Sequence, residues 1–193
     1  MKGIVGLLLA AGSASRFGSD KLRHLLPHGV PIAVQSARHL TPELDVVIAV
    51  VRPDETELLE SFEREGCRVC VCENAAEGMG ASLACAARAA GPADGYLVAL
   101  GDMPFVRRSS IAAVRDAIAA GAPLAAPYFR GRRGHPVGFS GSFHEELQQL
   151  KGDQGAKQIL EAHAGRLVKV PLGDPGVIRD IDRPEDLAPP IAV

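Results

Sequence analysis

The chain has 193 residues and carries 21 Lys and Arg against 23 Asp and Glu, a formal net charge of −2. Such a balance leaves no electrostatic case for nucleic acid or a membrane surface as partner, and the absence of Trp, with 4% aromatic residues, removes a stacking platform for single strands. This length fits one domain, spanning residues 1–193, that buries roughly 70% of the surface of its unfolded chain.

The first expected element is an apolar strand over Ile4–Leu9 that runs on through Ala10 and Ala11 into Gly12-Ser13-Ala14-Ser15-Arg16-Phe17-Gly18-Ser19-Asp20-Lys21. A buried strand opening into small residues presents backbone N–H groups to an anion, and Arg16 and Lys21 add full positive charges there. A triphosphate suits such a loop. The spacing is not that of a Walker loop, since Ser19 follows Gly18 where Lys should stand. Nor is it a dinucleotide fingerprint, because Ser13 and Ala14 follow Gly12 with no second Gly. A charged start and a small-residue exit also suit a secretory signal, but the apolar core is short and interrupted by Gly6, so a cytoplasmic protein is expected.

A helix over 31–40, a strand over Val46–Val51 and a helix over 54–65, with Asp54 as its cap, come next. The strand expected over 68–72 places Cys70 and Cys72 on one face; with Cys67 and Cys85 they read as reduced core thiols, since no fourth ligand lies at zinc-finger spacing. Asn74 to Leu83 is a polar strand exit leading into a glycine-rich helix entry. Gly78 and Gly80 let the backbone approach something flat, and Ser82 offers a hydroxyl for a base edge. The alternative for Ser82 is ordinary service to the first turn of a helix over 80–90.

A strand over Gly95–Leu100 exits into Gly101-Asp102-Met103-Pro104. A carboxylate at a buried strand's exit calls for neutralisation, which Mg²⁺ held with phosphate oxygens provides. A helix over 109–120, capped by Ser109, and strands over 124–127 and 136–139 bracket the basic loop Arg132-Arg133-Gly134-His135-Pro136. Arg132, Arg133 and His135, with Gly134 and Pro136, are candidates to meet a phosphorylated acceptor, although a basic loop is ordinarily solvated surface. Helices over 143–150 and 156–164 and a strand over 167–170 follow, and Gly152-Asp153-Gln154-Gly155 offers either backbone donors or a cap at Asp153. In Asp180-Ile181-Asp182, the two carboxylates share a face if the segment is extended. Asp180 is assigned to the metal with Asp102, and Asp182 to a cap, with exchange of the two roles left open. The remaining histidines show no metal-ligand spacing.

The alternation of apolar runs and helical patterns is that of a doubly wound α/β domain. Ligands bind such domains beyond the carboxyl ends of the strands, where the strand order reverses. The polar and glycine-rich exits at Gly12–Lys21, Glu73-Asn74 and Gly101-Asp102 stand at those ends.

Leu9-Ala10-Ala11-Gly12 with Arg16 and Lys21, Asn74 with Gly78-Met79-Gly80-Ala81-Ser82, Gly101-Asp102-Met103-Pro104, Gly134-His135-Pro136, Gly152-Asp153-Gln154-Gly155-Ala156 and Asp180-Ile181-Asp182-Arg183-Pro184-Glu185-Asp186 occur in that order across nearly the whole chain. Together they resemble the molybdenum cofactor nucleotidylyltransferase family (MobA-like NTP transferases), and most closely its cytidylyltransferase branch. Leu9 departs from that branch's usual Thr, and Arg183 replaces another. The resemblance implies a three-layer, Rossmann-like fold with a mostly parallel sheet. It implies transfer of CMP, or alternatively GMP, from an NTP to the terminal phosphate of molybdopterin with release of pyrophosphate. By it, Leu9, Ala10, Ala11, Gly12, Ser13, Arg16, Lys21, Asn74, Gly80 and Ser82 bind the nucleotide, and Arg16, Lys21 and Asp102 are catalytic. A molybdoenzyme or a cofactor-insertion chaperone would be the partner downstream. The rival readings are a sugar- or alditol-phosphate nucleotidyltransferase and a nucleotide sensor or chaperone that binds without turnover.

Overall fold

The computed structural model describes residues 3–12 and 21–187. Three strands, β1 (Ile4–Leu9), β2 (Val46–Val51) and β4 (Gly95–Leu100), coincide with apolar runs of the sequence, and β3 (Arg68–Val71) lies between the last two in the chain. The helices are α1 (Ile32–Leu40), α2 (Thr56–Arg64), α3 (Met79–Ala90), α4 (Arg108–Ala119), α5 (His144–Gln148) and α6 (Lys157–Ala162). Strands β5 (Leu124–Phe129), β6 (Arg132–Arg133), β7 (Val137–Ser140) and β8 (Leu167–Pro171) complete one sheet in the order β3-β2-β1-β4-β7-β5-β6, with β8 on β5. Strands β1 to β4 are mutually parallel, β7 runs antiparallel to β4, and β8 returns parallel to β5.

Alternate side chains of the central strands face two different helical layers. Val5, Leu7, Leu9, Ile48, Val50 and Val98 pack with Leu83, Ala87, Leu147 and Leu160 on one side. Leu8, Val47, Ala49, Leu97 and Ala99 pack with Val34, Ala37, Phe62, Ile111 and Val114 on the other. A strand buried on both faces must be apolar at every position, which is why these strands stand out as unbroken runs. Each fully buried aliphatic side chain contributes roughly 1.5–3 kcal/mol. Among the described residues no helix is long and apolar enough to cross a membrane.

Two local expectations are corrected. The basic loop contains a short hairpin: Arg130 (φ 49°) and Gly131 (φ 79°) occupy left-handed backbone, the pattern of a tight two-residue turn, and Arg132 and Arg133 pair back onto β5. Neither Asp54 nor Ser109 caps its helix. Glu55 is the boundary residue of α2, and the Asp54 carboxylate accepts from Arg52. At α4 the boundary residue is Arg107, whose N–H donates to Asp174 Oδ2 at 2.9 Å while the Ser110 hydroxyl donates to the same oxygen at 2.6 Å. A residue 67 positions away does the capping.

Asp174 is 3% exposed and also accepts from Gly176 N–H at 2.9 Å. It thereby fastens the 3-10 turn Pro175–Ile178 to the start of α4. The segment beyond that turn carries Asp180 and Asp182. Asp174→Ala leaves three donors without their acceptor, two of them buried, and chemical denaturation should show a loss of about 3 kcal/mol. A loss below about 1 kcal/mol would contradict this bracing role.

Candidate active site

Strand β1 has β2 on one side and β4 on the other, so the strand order reverses at β1. Leu9 pairs with Leu100, and both strands therefore end at the same level. Gly101 N–H donates to Leu9 O at 2.9 Å and holds the two exits together. Above them opens a cleft of about 570 Å³ lined by Leu9, Ala11, Gly12 and Lys21 from the first exit, Arg52 from the second, and Leu100 and Asp102 from the fourth. Ala75, Ala76, Gly78, Met79 and Ser82 form the facing wall with Asp153.

Lys21 opens the 3-10 turn Lys21–Arg23, and its Nζ lies 2.9 Å from Asp102 Oδ2 and 3.3 Å from Asp182 Oδ1. Lys21 is 12% exposed, Asp102 23% and Asp182 51%. Burial pushes the lysine's pKa down, but the bonds and charges of Asp102 and Asp182 outweigh it, so the ammonium is held more firmly protonated than usual. Asp102, Asp180 and Asp182 each direct one oxygen to within 4.8 Å of the others. Among the described residues, the Lys21 ammonium sits against two of these three carboxylates. The Asp180 carboxyl is raised above its ordinary value of 3.8, first by burial and then by the charges of Asp102 and Asp182.

The backbone delivers the last two carboxylates. Ile181 donates its N–H to the Asp102 carbonyl at 2.9 Å, and its fully buried side chain packs with Leu26, Ile32, Phe105 and Leu187. Asp180 and Asp182 flank this anchor. Asp182 is not a cap. Instead its own N–H, like that of Arg183, donates to Asp186 Oδ2.

The other candidates distribute unevenly. Leu9, Ala11, Gly12 and Ser82 line the cleft, and Ala10 is buried behind it with its N–H on Val50 O. Ser13 and Arg16 lie outside the described residues. Asn74 is exposed and does not line the cleft; its amide group joins Glu77 and the Cys72 thiol. Gly80 is small for a packing reason, because a Cβ there would sit 2.6 Å from Lys151 O, and its N–H donates to Gly152 O at 2.7 Å. Ser82 donates to Gly78 O at 3.4 Å.

In the acceptor loop Arg132 and Arg133 are exposed. Gly134 and Pro136 are buried, a Cβ at Gly134 would run into Val177 O, and His135 donates its N–H to Val177 O at 2.8 Å. His135 lines a small pocket with His39, Ser36 and Met103, and burial lowers its pKa. None of these loop residues lines the cleft. Arg52 and Asp153 also line the cleft, Asp153 with its side chain where the sequence suggested backbone donors or a cap. For Arg52 the signal was present, since Arg52-Pro53-Asp54 is the polar exit of the second strand.

Asp180 supplies a pH test. A carboxyl raised in the folded state favours folding below pH 3.8 and loses that contribution as pH rises through its folded value. At neutral pH, without divalent cations, the melting temperature of Asp180→Asn should equal or exceed that of the parent. The stabilisation produced by added Mg²⁺ or Mn²⁺ should shrink. A variant less stable than its parent at neutral pH, yet fully responsive to the cations, would overturn the electrostatic reading.

Comparison with known proteins agrees with this layout. Residues 6–167 match the family model of the MobA-like NTP transferase domain. The purine catabolism protein PucB of Bacillus subtilis (strain 168) is 29% identical over 196 residues, covering 95% of this chain and 93% of PucB. Among solved structures, Rv0371c from Mycobacterium tuberculosis H37Rv superposes with a TM-score of 0.80 at 25% identity, covering 96% of this chain and 95% of its own. Rv0371c is also known in complex with manganese, a structure that aligns with a TM-score of 0.74 at 24% identity over 95% of each chain. The nucleotidyl transferase Mth528 from Methanothermobacter thermautotroptrophicus gives a TM-score of 0.80 at 22% identity, covering 95% and 94% of the two chains.

Proposed function

Because this chain belongs to the MobA-like NTP transferase family, we propose that it transfers CMP, in preference to GMP, from an NTP to the terminal phosphate of a molybdopterin-type acceptor and releases pyrophosphate. The whole chain acts as one catalytic unit in the cytoplasm. The observation that carries this reading is the contact of Lys21 with Asp102 and Asp182 on the floor of a cleft large enough for a nucleotide.

The donors around that floor suit a hard divalent cation. Three carboxylates converge and all ligand atoms are oxygen. Asp102 and Asp180, with Asp182, would hold Mg²⁺; manganese in Rv0371c fits the same preference. When bound, the cation neutralises charge on the reacting phosphates. The remaining catalysis is positioning and electrostatics supplied by the chain. The Gly12 and Ser13 amides, the Arg16 guanidinium and the Lys21 ammonium hold the β- and γ-phosphates and offset the charge growing on the leaving pyrophosphate. Lys21 exchanges its carboxylate partners for phosphate oxygens as the nucleotide enters. The acceptor phosphate then attacks the α-phosphorus in line with the departing oxygen.

Ala75, Ala76 and Gly78 leave room for a flat base, with Met79 and Ser82 beside it and Arg52 and Asp153 within the same cleft; Asn74 and Gly80 shape that wall. Arg133, at an exposed hairpin, reaches for the anionic acceptor, and Gly134, His135 and Pro136 fix the hairpin's root. The likeness to a purine catabolism protein points to an enzyme of purine breakdown as the user of the product, either directly or through an insertion chaperone.

Lys21→Ala and Asp102→Ala should each lower kcat by about 10²–10³ with the fold retained, while Lys21→Ala also lowers the melting temperature by leaving carboxylates unpaired. Pyrophosphate release with CTP, Mg²⁺ and molybdopterin measures this, and turnover within a factor of a few of the parent removes the residue from the mechanism. Binding without release would favour a sensor, and release only with a sugar or alditol phosphate would favour that rival enzyme. Thermal shift with CTP, GTP, ATP and UTP, each with Mg²⁺, should give the largest stabilisation with CTP. A larger shift with GTP would reassign the base.

A further inference from the structure

Cys70 on β3 and Cys85 on α3 hold their Sγ atoms 3.2 Å apart. That is only about an ångström beyond the ~2.04 Å of a sulfur–sulfur bond. Both thiols are half-buried, whereas Cys67 and Cys72 are buried. We propose that Cys70 and Cys85 are an oxidisable dithiol whose disulfide staples the edge strand β3 to α3.

The location gives such a link consequences for the cleft. The residues between the two cysteines include Ala75, Ala76, Gly78, Met79 and Ser82, all of which line it. A bond from Cys70 to Cys85 closes a covalent ring around that wall. The other cysteines are poor competitors. Burial, with help from Glu65, pushes the Cys67 thiol up to about 12. Cys72 is pushed up to about 11 by burial and then by Cys85, and its sulfur lies 3.3 Å from Asn74 Oδ1. A thiol held protonated is a weak nucleophile at neutral pH. Cys85 is also raised, first by burial and then by Cys70, so closure calls for an oxidant in excess rather than a trace.

The oxidant class is a low-molecular-weight disulfide. One cysteine, as thiolate, attacks a sulfur of that disulfide, forms a mixed disulfide and displaces one small thiolate. The second cysteine, as thiolate, attacks the protein sulfur of the mixed disulfide, and the remaining small thiolate leaves. The protein gives up two protons and two electrons, and the small disulfide is reduced to two thiols. Excess small thiol runs the sequence backwards.

The test is to incubate the full chain with glutathione disulfide and follow thiols, intact mass and melting temperature. The free-thiol count should fall from four to two, with the mass of two hydrogen atoms lost and one linked peptide pair containing Cys70 and Cys85. The melting temperature should rise by about 5 °C and return on reduction. Cys72→Ser should still close the link, and Cys70→Ser and Cys85→Ser should form none. An unchanged thiol count in the parent overturns the proposal. So do a link through Cys67 or Cys72, a mixed disulfide that never closes, and a link that leaves the melting temperature unchanged or lower.

Discussion

Three carboxylates drawn within 4.8 Å of one another beside the largely covered Lys21 ammonium make up the interaction to which the rest of this structure answers. Left in water, Asp102, Asp180 and Asp182 would keep apart, because like charges at that separation repel. The fold overrides that repulsion with backbone. Leu9 and Leu100 end two parallel strands in register, which puts Asp102 beside the chain leaving β1. The Ile181 N–H on the Asp102 carbonyl then draws in the other two carboxylates from the far end of the sequence. Concentrated negative charge prepared in this way is characteristic of a binding site rather than of a core optimised for stability.

The price of that convergence is a long excursion of the chain, and the segment from Asp174 to Ile181 shows how it is stabilised. Asp174 is buried but receives three hydrogen bonds, two of them from the start of α4. Gly176 sits so close to Phe105 O, and Gly134 to Val177 O, that neither position has room for a Cβ. His135 adds a backbone bond to Val177. The Gly-His-Pro stretch is therefore a clamp on the carboxylate-bearing segment, whatever Arg133 does at the hairpin. Burial lowers the pKa of the His135 ring, which suits packing better than contact with an anion.

The opposite wall of the cleft is built from the exit of β3 and the first turn of α3. Its backbone is fixed by the 151–153 loop, with Gly80 N–H on Gly152 O and Asp153 beside Gly78. The residues there are small or flexible, so the wall gives space rather than a fixed set of donors. The cysteine pair lies behind this wall, where β3 meets α3, and ties the cleft's shape to the contact between those two elements.

The order of the elements and the location of the ligand edge were determined by the sequence by itself. Strands buried on both faces must be apolar throughout, and glycine-rich or charged residues must follow wherever such a strand reaches solvent. Ile4–Leu9, Val46–Val51 and Gly95–Leu100, with the exits at Gly12 and Asp102, obey those local rules. The partners that set the chemistry were decided only by the tertiary structure. Asp174 caps a helix 67 positions away, Asp182 joins the ammonium of Lys21 rather than a helix start, and Gly80 yields to the carbonyl of Lys151. Asn74 turns to Glu77 and away from the cleft's lining. Local propensity is a contest among neighbours a few residues apart, whereas these contacts arise only after the sheet has brought distant segments within hydrogen-bond reach.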